Sequence, residues 1–231
     1  MIVYSNSDSY GIISDGKVYS NFIADYYNAN LINIGKAGSC NSRIVRTTTR
    51  DLLSIRSTDE EILVLISLAS LWRNEYWSAK NHNPTENDGH FQSFQISSLN
   101  SNQFNHVDKE SKEFAKAWYR QINYEQLMTD LYVNLVLLTT FLKTNNFKYL
   151  IWAGSKDYKT IDFTAPFIKD FADNLSKTNL IPISEFNFCD YCLEQEFTPI
   201  DSDQYGIYGH HGELAHKKFA EYLIENYLNE I

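Results

Sequence analysis

Three polar stretches carry side chains able to do nucleophilic chemistry. Ser5-Asn6-Ser7-Asp8-Ser9-Tyr10-Gly11 sets three serines two residues apart and ends on a glycine. Asn33-Ile34-Gly35-Lys36-Ala37-Gly38-Ser39-Cys40-Asn41 combines glycines with amide side chains. Towards the end of the chain, Tyr208-Gly209-His210-His211-Gly212-Glu213 is followed by His216. A serine hydroxyl attacks poorly near neutral pH unless a base within hydrogen-bond reach takes its proton. Histidine titrates in the right range to take that proton and return it. A tetrahedral intermediate then needs fixed donors for its oxyanion, each typically worth about 3 kcal/mol. Hydroxyl, glycine turn and histidine together point to acyl transfer through a serine.

The elements that must position these residues are legible from hydrophobic periodicity. Residues 2–4, 31–34 and 149–152 read as short strands, and 62–68 is a continuous apolar run expected of a strand buried on both faces. Helical spacing appears over 18–27, 41–54, 110–143, 165–175 and 213–228, and a fifth strand is expected over 180–183. Residues 78–108 are rich in Asn, Ser, Gln and His and show no sustained period, so they read as a polar insertion placed as a lid. Strands alternating with helices give a single α/β domain. The expected fold is a flavodoxin-like three-layer sandwich with a five-stranded parallel sheet. In such sheets ligands bind outside the carboxyl ends of the strands. The loops after the first three strands, and the loop before the last helix, should therefore share one crevice.

In this order the blocks resemble the SGNH (GDSL-like) hydrolase superfamily. That family's first block, small-x-Ser-x-Ser/Thr-x-Gly, is matched by Ser5, Ser7, Ser9 and Gly11. Its Asn-x-Gly-x-x-Gly turn is matched by Asn33, Gly35 and Gly38, and its closing histidine, with a second one six residues on, by His210 and His216. The resemblance spans the whole chain. It implies a serine esterase or O-acyl transferase acting on a small or carbohydrate-linked ester through an acyl-enzyme. Ser7 would be the nucleophile, His210 the base and then the acid, and the backbone N–H groups of Ser7 and Gly38 part of the oxyanion hole. Ser9 is the alternative nucleophile, but only the Ser7 register keeps Gly11 four residues beyond it. His211 is the alternative histidine. No cofactor and no metal are implied.

The departures from the family pattern matter as well. Its third block, Gly-x-Asn-Asp, gives way to Ser67-Leu68-Ala69-Ser70, so Ala69 stands where an oxyanion-binding Asn is expected. Asn41 is the candidate substitute, with Asn74 as a second. Three residues before His210 stands Ile207 in place of an acid, although Asp201 and Asp203 lie upstream and could fold back. Losing the carboxylate of a triad can cost about 10⁴ in rate. A second reading therefore stays open: a catalytically silent, glycan-binding or accessory protein, phage-encoded, that keeps the fold and crevice. Trp72, Tyr76 and Trp77, interleaved with Arg73 and Glu75, read either as packing or as a platform for a sugar ring.

Plainer roles compete for the same residues. Ser7 and Ser9 are also ordinary turn residues, Gly38 supplies a positive φ, and Asn41 suits a helix cap. His82, His90 and His106 fall in the polar insertion and His216 inside the last helix. Cys189-x-x-Cys192 is half a zinc site with no second Cys/His pair at ligand spacing. Composition narrows the classes further. Lys+Arg 20 against Asp+Glu 29 leaves a net charge of −9, which disfavours nucleic acid as a partner. No apolar run approaches the roughly 20 residues of a membrane span, and the first residues lack a signal-peptide pattern. Three cysteines at irregular spacing fit reduced thiols. A cytoplasmic protein is expected.

Overall fold

The computed structural model describes residues 1–12, 14–56, 59–77, 91–95, 109–156, 158, 175, 178–183, 185–201 and 209–231. Its centre is a parallel sheet of β1 (Ile2–Asn6), β2 (Asn30–Asn33), β3 (Ile62–Leu68) and β6 (Lys148–Ala153), in the order β2-β1-β3-β6. β1 is the pivot, pairing Ser5 with Asn33 on one side and with Leu65 on the other. Chain order reverses beside it, so the crevice for a ligand opens at its carboxyl end.

Both faces of the sheet are covered, which is why β3 has no polar face. Ile2, Tyr4, Val64, Ile66, Tyr149 and Ile151 project to one side and pack with α2 (Asn41–Ile55) and α4 (Tyr124–Thr144). Val3, Leu63, Leu65, Leu150 and Trp152 project to the other and meet α1 (Tyr19–Tyr26), α5 (Phe188–Glu194) and α6 (Glu213–Asn226). The period of two along each strand thus sorts the core into two layers. A fully buried aliphatic side chain stabilises by about 1.5–3 kcal/mol, so this double layer dominates the stability.

Helix boundaries follow local chemistry. The helical stretch expected over 110–143 is two helices, α3 (Lys109–Gln121) and α4. Asn123 separates them by accepting the Gln126 N–H at 2.7 Å as the N-cap of α4. Leu127, Leu131, Leu135, Leu138 and Leu142 then form the buried stripe. α6 takes its cap from far away in sequence: the Glu213 N–H donates to Asp15 Oδ1 at 2.6 Å.

Two expectations are corrected. Among the described residues the sheet has four strands, not five. The segment expected as the fifth does run beside β6, where Ile151 N–H donates to Asn179 O and Ile181 N–H to Ile151 O, but only as isolated bridges. A turn follows at once, in which the Pro182 carbonyl accepts from Glu185 and Phe186 and takes the chain out of line with β6. The polar insertion also contains regular structure: β5 (Phe91–Gln95) pairs antiparallel with β4 (Arg73–Trp77). The remainder of 78–108, the helix expected over 165–175 except Leu175, and His82, His90 and His106 lie outside the described residues.

Candidate active site

The first polar block leaves the sheet at the carboxyl end of β1 and is fastened on every side. Asn6 Nδ2 reaches α2, donating to Thr47 Oγ1 at 2.8 Å and Thr48 Oγ1 at 2.9 Å. Asp8 caps a 3-10 turn over Ser9–Gly11 by accepting the Tyr10 N–H at 3.1 Å. Asn33 ties the second block to the first: its Nδ2 donates to Gly11 O at 3.0 Å while its Oδ1 accepts the Gly35 N–H at 3.0 Å. Ile34 N–H and Lys36 N–H donate to the carbonyls of Ser5 and Ser7 at 2.9 and 3.1 Å, which zips the loop ending at Gly38 along the Ser7 turn. Gly38 takes φ +76°, where a side chain is strained, and a Cβ there would face open space. The plain reading of Gly38 and its place beside the Ser7 loop therefore coexist.

Ser7 is fully buried, and its Oγ donates to the Asp8 carbonyl at 3.1 Å. The hydroxyl occupies a slot cut by two glycines: a Cβ on Gly11 would stand 1.9 Å from Ser7 Oγ, and one on Gly35 would stand 2.6 Å from it. These are the glycines of the two sequence blocks, and the slot gives their spacing a steric reason. Ser7 Oγ is not hydrogen-bonded to His210. Ser9 sits in the 3-10 turn, nearly buried, with its carbonyl accepting from Ile12.

His210 is bound by a carboxylate nine residues upstream. Asp201 grips it twice: Oδ1 accepts the His210 backbone N–H at 2.6 Å, and Oδ2 lies in a very short contact with Nδ1. The Ile200 N–H donates to His210 O at 2.7 Å, so both residues ride on one antiparallel strap. Gly209 is what lets the carboxylate in, since a Cβ there would stand 2.1 Å from Asp201 Oδ1. The carboxylate contact is made at Nδ1, on the side of the ring away from Nε2. The His210 ring lies 5.6 Å from the Tyr10 ring and interacts electrostatically with Asp8, so the strap faces the 3-10 turn that follows Ser7. Asp203 lies outside the described residues.

His211 turns the other way. It is fully buried, edge-on to Phe188 with ring centres 5.8 Å apart, and neither ring nitrogen has a hydrogen-bond partner. Burial, followed by the neighbouring Asp201 and His210 charges in opposite directions, leaves its pKa at about 4. His216 is buried in α6 and stacks on Phe188 at 4.8 Å.

Of the remaining expected site residues, Arg73 and Asn41 line one cavity together with Leu71 and Asn74. Arg73 Nη1 donates to Asp8 Oδ2 at 2.7 Å, and Glu75 binds Arg46 through two contacts of 3.2 and 2.8 Å. Arg73 and Glu75, two apart on β4, thus pin the β4–β5 hairpin to the Ser7 turn and to α2. Asn41 braces the loop that follows β3. Its Nδ2 donates to Ala69 O at 3.2 Å and Tyr158 OH at 2.8 Å, and its Oδ1 accepts the Ala69 N–H at 2.9 Å. Its amide hydrogens are thus taken up by the Ala69 carbonyl, just past β3, and by the Tyr158 hydroxyl. Trp72 packs against Tyr124, ring centres 6.2 Å apart, while the side chains of Tyr76 and Trp77 lie outside the described set. Asp8 was not a sequence candidate, because an aspartate in a Ser/Asn-rich turn reads as a cap. The signal available was a buried charge's need for a cation. Among the described residues no three His, Cys, Asp or Glu side chains are grouped to hold a metal ion, and no helix is long and apolar enough to cross a membrane.

The chain is similar in fold to TesA, with a TM-score of 0.50 and 14% identity over 97% of each chain. It is also similar to the psychrotrophic esterase EstA from Pseudoalteromonas sp. (TM-score 0.49, 14% identity, 99% of this chain and 97% of that one). A catalytic mutant of Axe2, an acetylxylan esterase from Geobacillus stearothermophilus, matches at TM-score 0.49 and 10% identity over 97% and 93% of the two chains. At these identities the likeness is one of fold. No curated protein matches the sequence. A family profile does match, over residues 5–227, and the chain therefore belongs to DUF6071, a family of unknown function.

Proposed function

We propose that the protein is a serine ester hydrolase working through an acyl-enzyme, with Ser7 as nucleophile and His210, oriented by Asp201, as base. The observation that carries this reading is the double grip of Asp201 on His210 beside the turn that follows Ser7. Ester chemistry itself comes from the SGNH resemblance of the blocks around Ser7, Gly38 and His210. In the proposed reaction Ser7 Oγ turns out of its slot and attacks the ester carbonyl while His210 Nε2 takes its proton. Asp201 stabilises the imidazolium through Nδ1–H. The tetrahedral intermediate, held by the backbone N–H groups of Ser7 and Gly38, expels the alcohol, which receives the proton from His210. Water attacks the acyl-Ser7 ester in the same way and regenerates the enzyme. Transfer to a sugar hydroxyl in place of water is the same step with another acceptor.

One observation favours the binding-protein reading: Ser7 Oγ points inward and is bonded to its own neighbour. A fluorophosphonate probe separates the two. Covalent labelling that is lost in Ser7→Ala and His210→Ala but retained in Ser9→Ala supports the hydrolase. A folded wild-type protein that takes no label, and turns over no acetyl ester, overturns it in favour of binding.

A further inference from the structure

Behind Ser7 lies a cluster of buried hydroxyls that the proposed chemistry does not use. Tyr19, the first residue of α1, is fully buried, and its OH would stand 2.6 Å from a Cβ on Gly11, at the same point that Ser7 Oγ approaches to 1.9 Å. Ser5, on the same face of β1, and Ser67 on β3 are fully buried too, and both their hydroxyls face the Tyr19 phenol. None of the Ser5, Tyr19 and Ser67 oxygens forms a well-shaped hydrogen bond. The Tyr19 ring is fixed by edge contacts with Trp152 at 5.2 Å and Phe219 at 5.9 Å, so its hydroxyl cannot swing away from Ser7.

Buried hydroxyls without partners cost stability, and native proteins retain them chiefly where they serve a purpose. Burial pushes the Tyr19 phenol well above its ordinary value, which keeps it a donor at any working pH. A donor at the floor of a slot that only glycines can form is suited to one thing, holding the oxygen that enters the slot.

We propose that Tyr19 is a positioning residue for Ser7, its hydroxyl retaining Ser7 Oγ in the inward rotamer from which the nucleophile must turn to meet His210. This rests on the serine reading above. Ser7 is then a two-position side chain: inward against Tyr19, and outward against His210. Only the outward position is competent, so the attraction of the inward one lowers the observed rate by the fraction of time spent there.

The test is the limiting rate of fluorophosphonate labelling, measured at saturating probe for wild type and Tyr19→Phe. Tyr19→Phe should label about twofold faster, because the phenol meets Ser7 without full hydrogen-bond geometry and holds it less than an ordinary hydrogen bond would, with the probe's half-saturating concentration unchanged. A role confined to core packing moves the melting temperature and leaves this limiting rate alone. Equal or slower labelling of a folded Tyr19→Phe protein overturns the positioning role while the serine reading stands. No labelling of either protein overturns both. Crystal structures supply the second measurement: Ser7 Oγ inward in wild type and outward in Tyr19→Phe supports the proposal, and Oγ inward in both sinks it.

Discussion

Asp8 and Arg73 form an ion pair of 2.7 Å whose carboxylate is fully buried and whose guanidinium side chain is 17% exposed. The pair joins the residue after Ser7 to the first residue of β4. Burial pushes the Asp8 carboxyl above its ordinary value, and Arg73 pulls in the opposite direction without cancelling the effect. Arg73→Met deprives a buried carboxylate of this cation and is expected to cost about 3–5 kcal/mol, whereas Asp8→Leu with Arg73→Met should recover most of it. Urea unfolding of the single and double variants checks this. A double variant no more stable than Arg73→Met alone would show that the two charges are uncoupled.

Asp201→Asn should lower kcat on acetyl esters by about 10⁴ while leaving the fold intact, because the amide no longer enforces the Nδ1–H tautomer of His210. His210→Ala and Ser7→Ala should fall to a similar floor, since groups acting as a unit do not lose rate additively. Steady-state kinetics of the three variants decide it. An Asp201→Asn enzyme within tenfold of wild type removes Asp201 from the proposed site.

Gly209→Ala tests the same geometry without touching a polar group. The added methyl would meet Asp201 Oδ1 at 2.1 Å and Pro199 Cβ at 3.0 Å, so the carboxylate must move. A displacement of about 1 Å costs on the order of 10² in rate. The loss should fall on kcat, with KM and the melting temperature little changed.

His211 sets an acid limit on stability. Its pKa drops from an ordinary 6.5 to about 4 in the folded chain. Between those values the unfolded chain binds a proton that the folded chain refuses, so stability falls as pH drops from 6.5 towards 4 and levels off below. The contribution is about 3 kcal/mol. Denaturant melts across this range should show the slope in wild type and a flatter profile in His211→Leu. A wild-type slope unchanged by the substitution would place the acid sensitivity elsewhere.

The alternation of apolar runs, glycine turns and helical stripes was enough to locate β1, β2, β3 and β6, and the edges of α2 and β3 within a residue or two. Those elements are long or strongly periodic, and their signals are local. What failed was decided by partners distant in sequence. Residues 180–183 look like a strand, but the turn closed on the Pro182 carbonyl takes the chain away after one bridge to β6. Phe91–Gln95 looks like part of a polar insertion, but pairing with β4 makes it a strand. The bonds that fix the Asn41 amide, to the Ala69 backbone and the Tyr158 hydroxyl, likewise come from residues far along the chain. In the site itself, the Ser7, Gly35, Gly38 and His210 blocks were visible as spacing. The inward Ser7 rotamer, the Arg73–Asp8 pair and the identity of the acid were not, because each depends on a contact that no local pattern encodes.

The strap that joins Asp201 to His210 has an evolutionary corollary. Acid and base face each other across two chain segments bonded directly at Ile200 and His210, so the number of residues between them is not fixed by their chemistry. Insertions can accumulate between the two, or the acid can migrate along the chain, without parting the pair. Searches keyed to a set interval between aspartate and histidine will pass over chains in which the two meet across a strap of this kind.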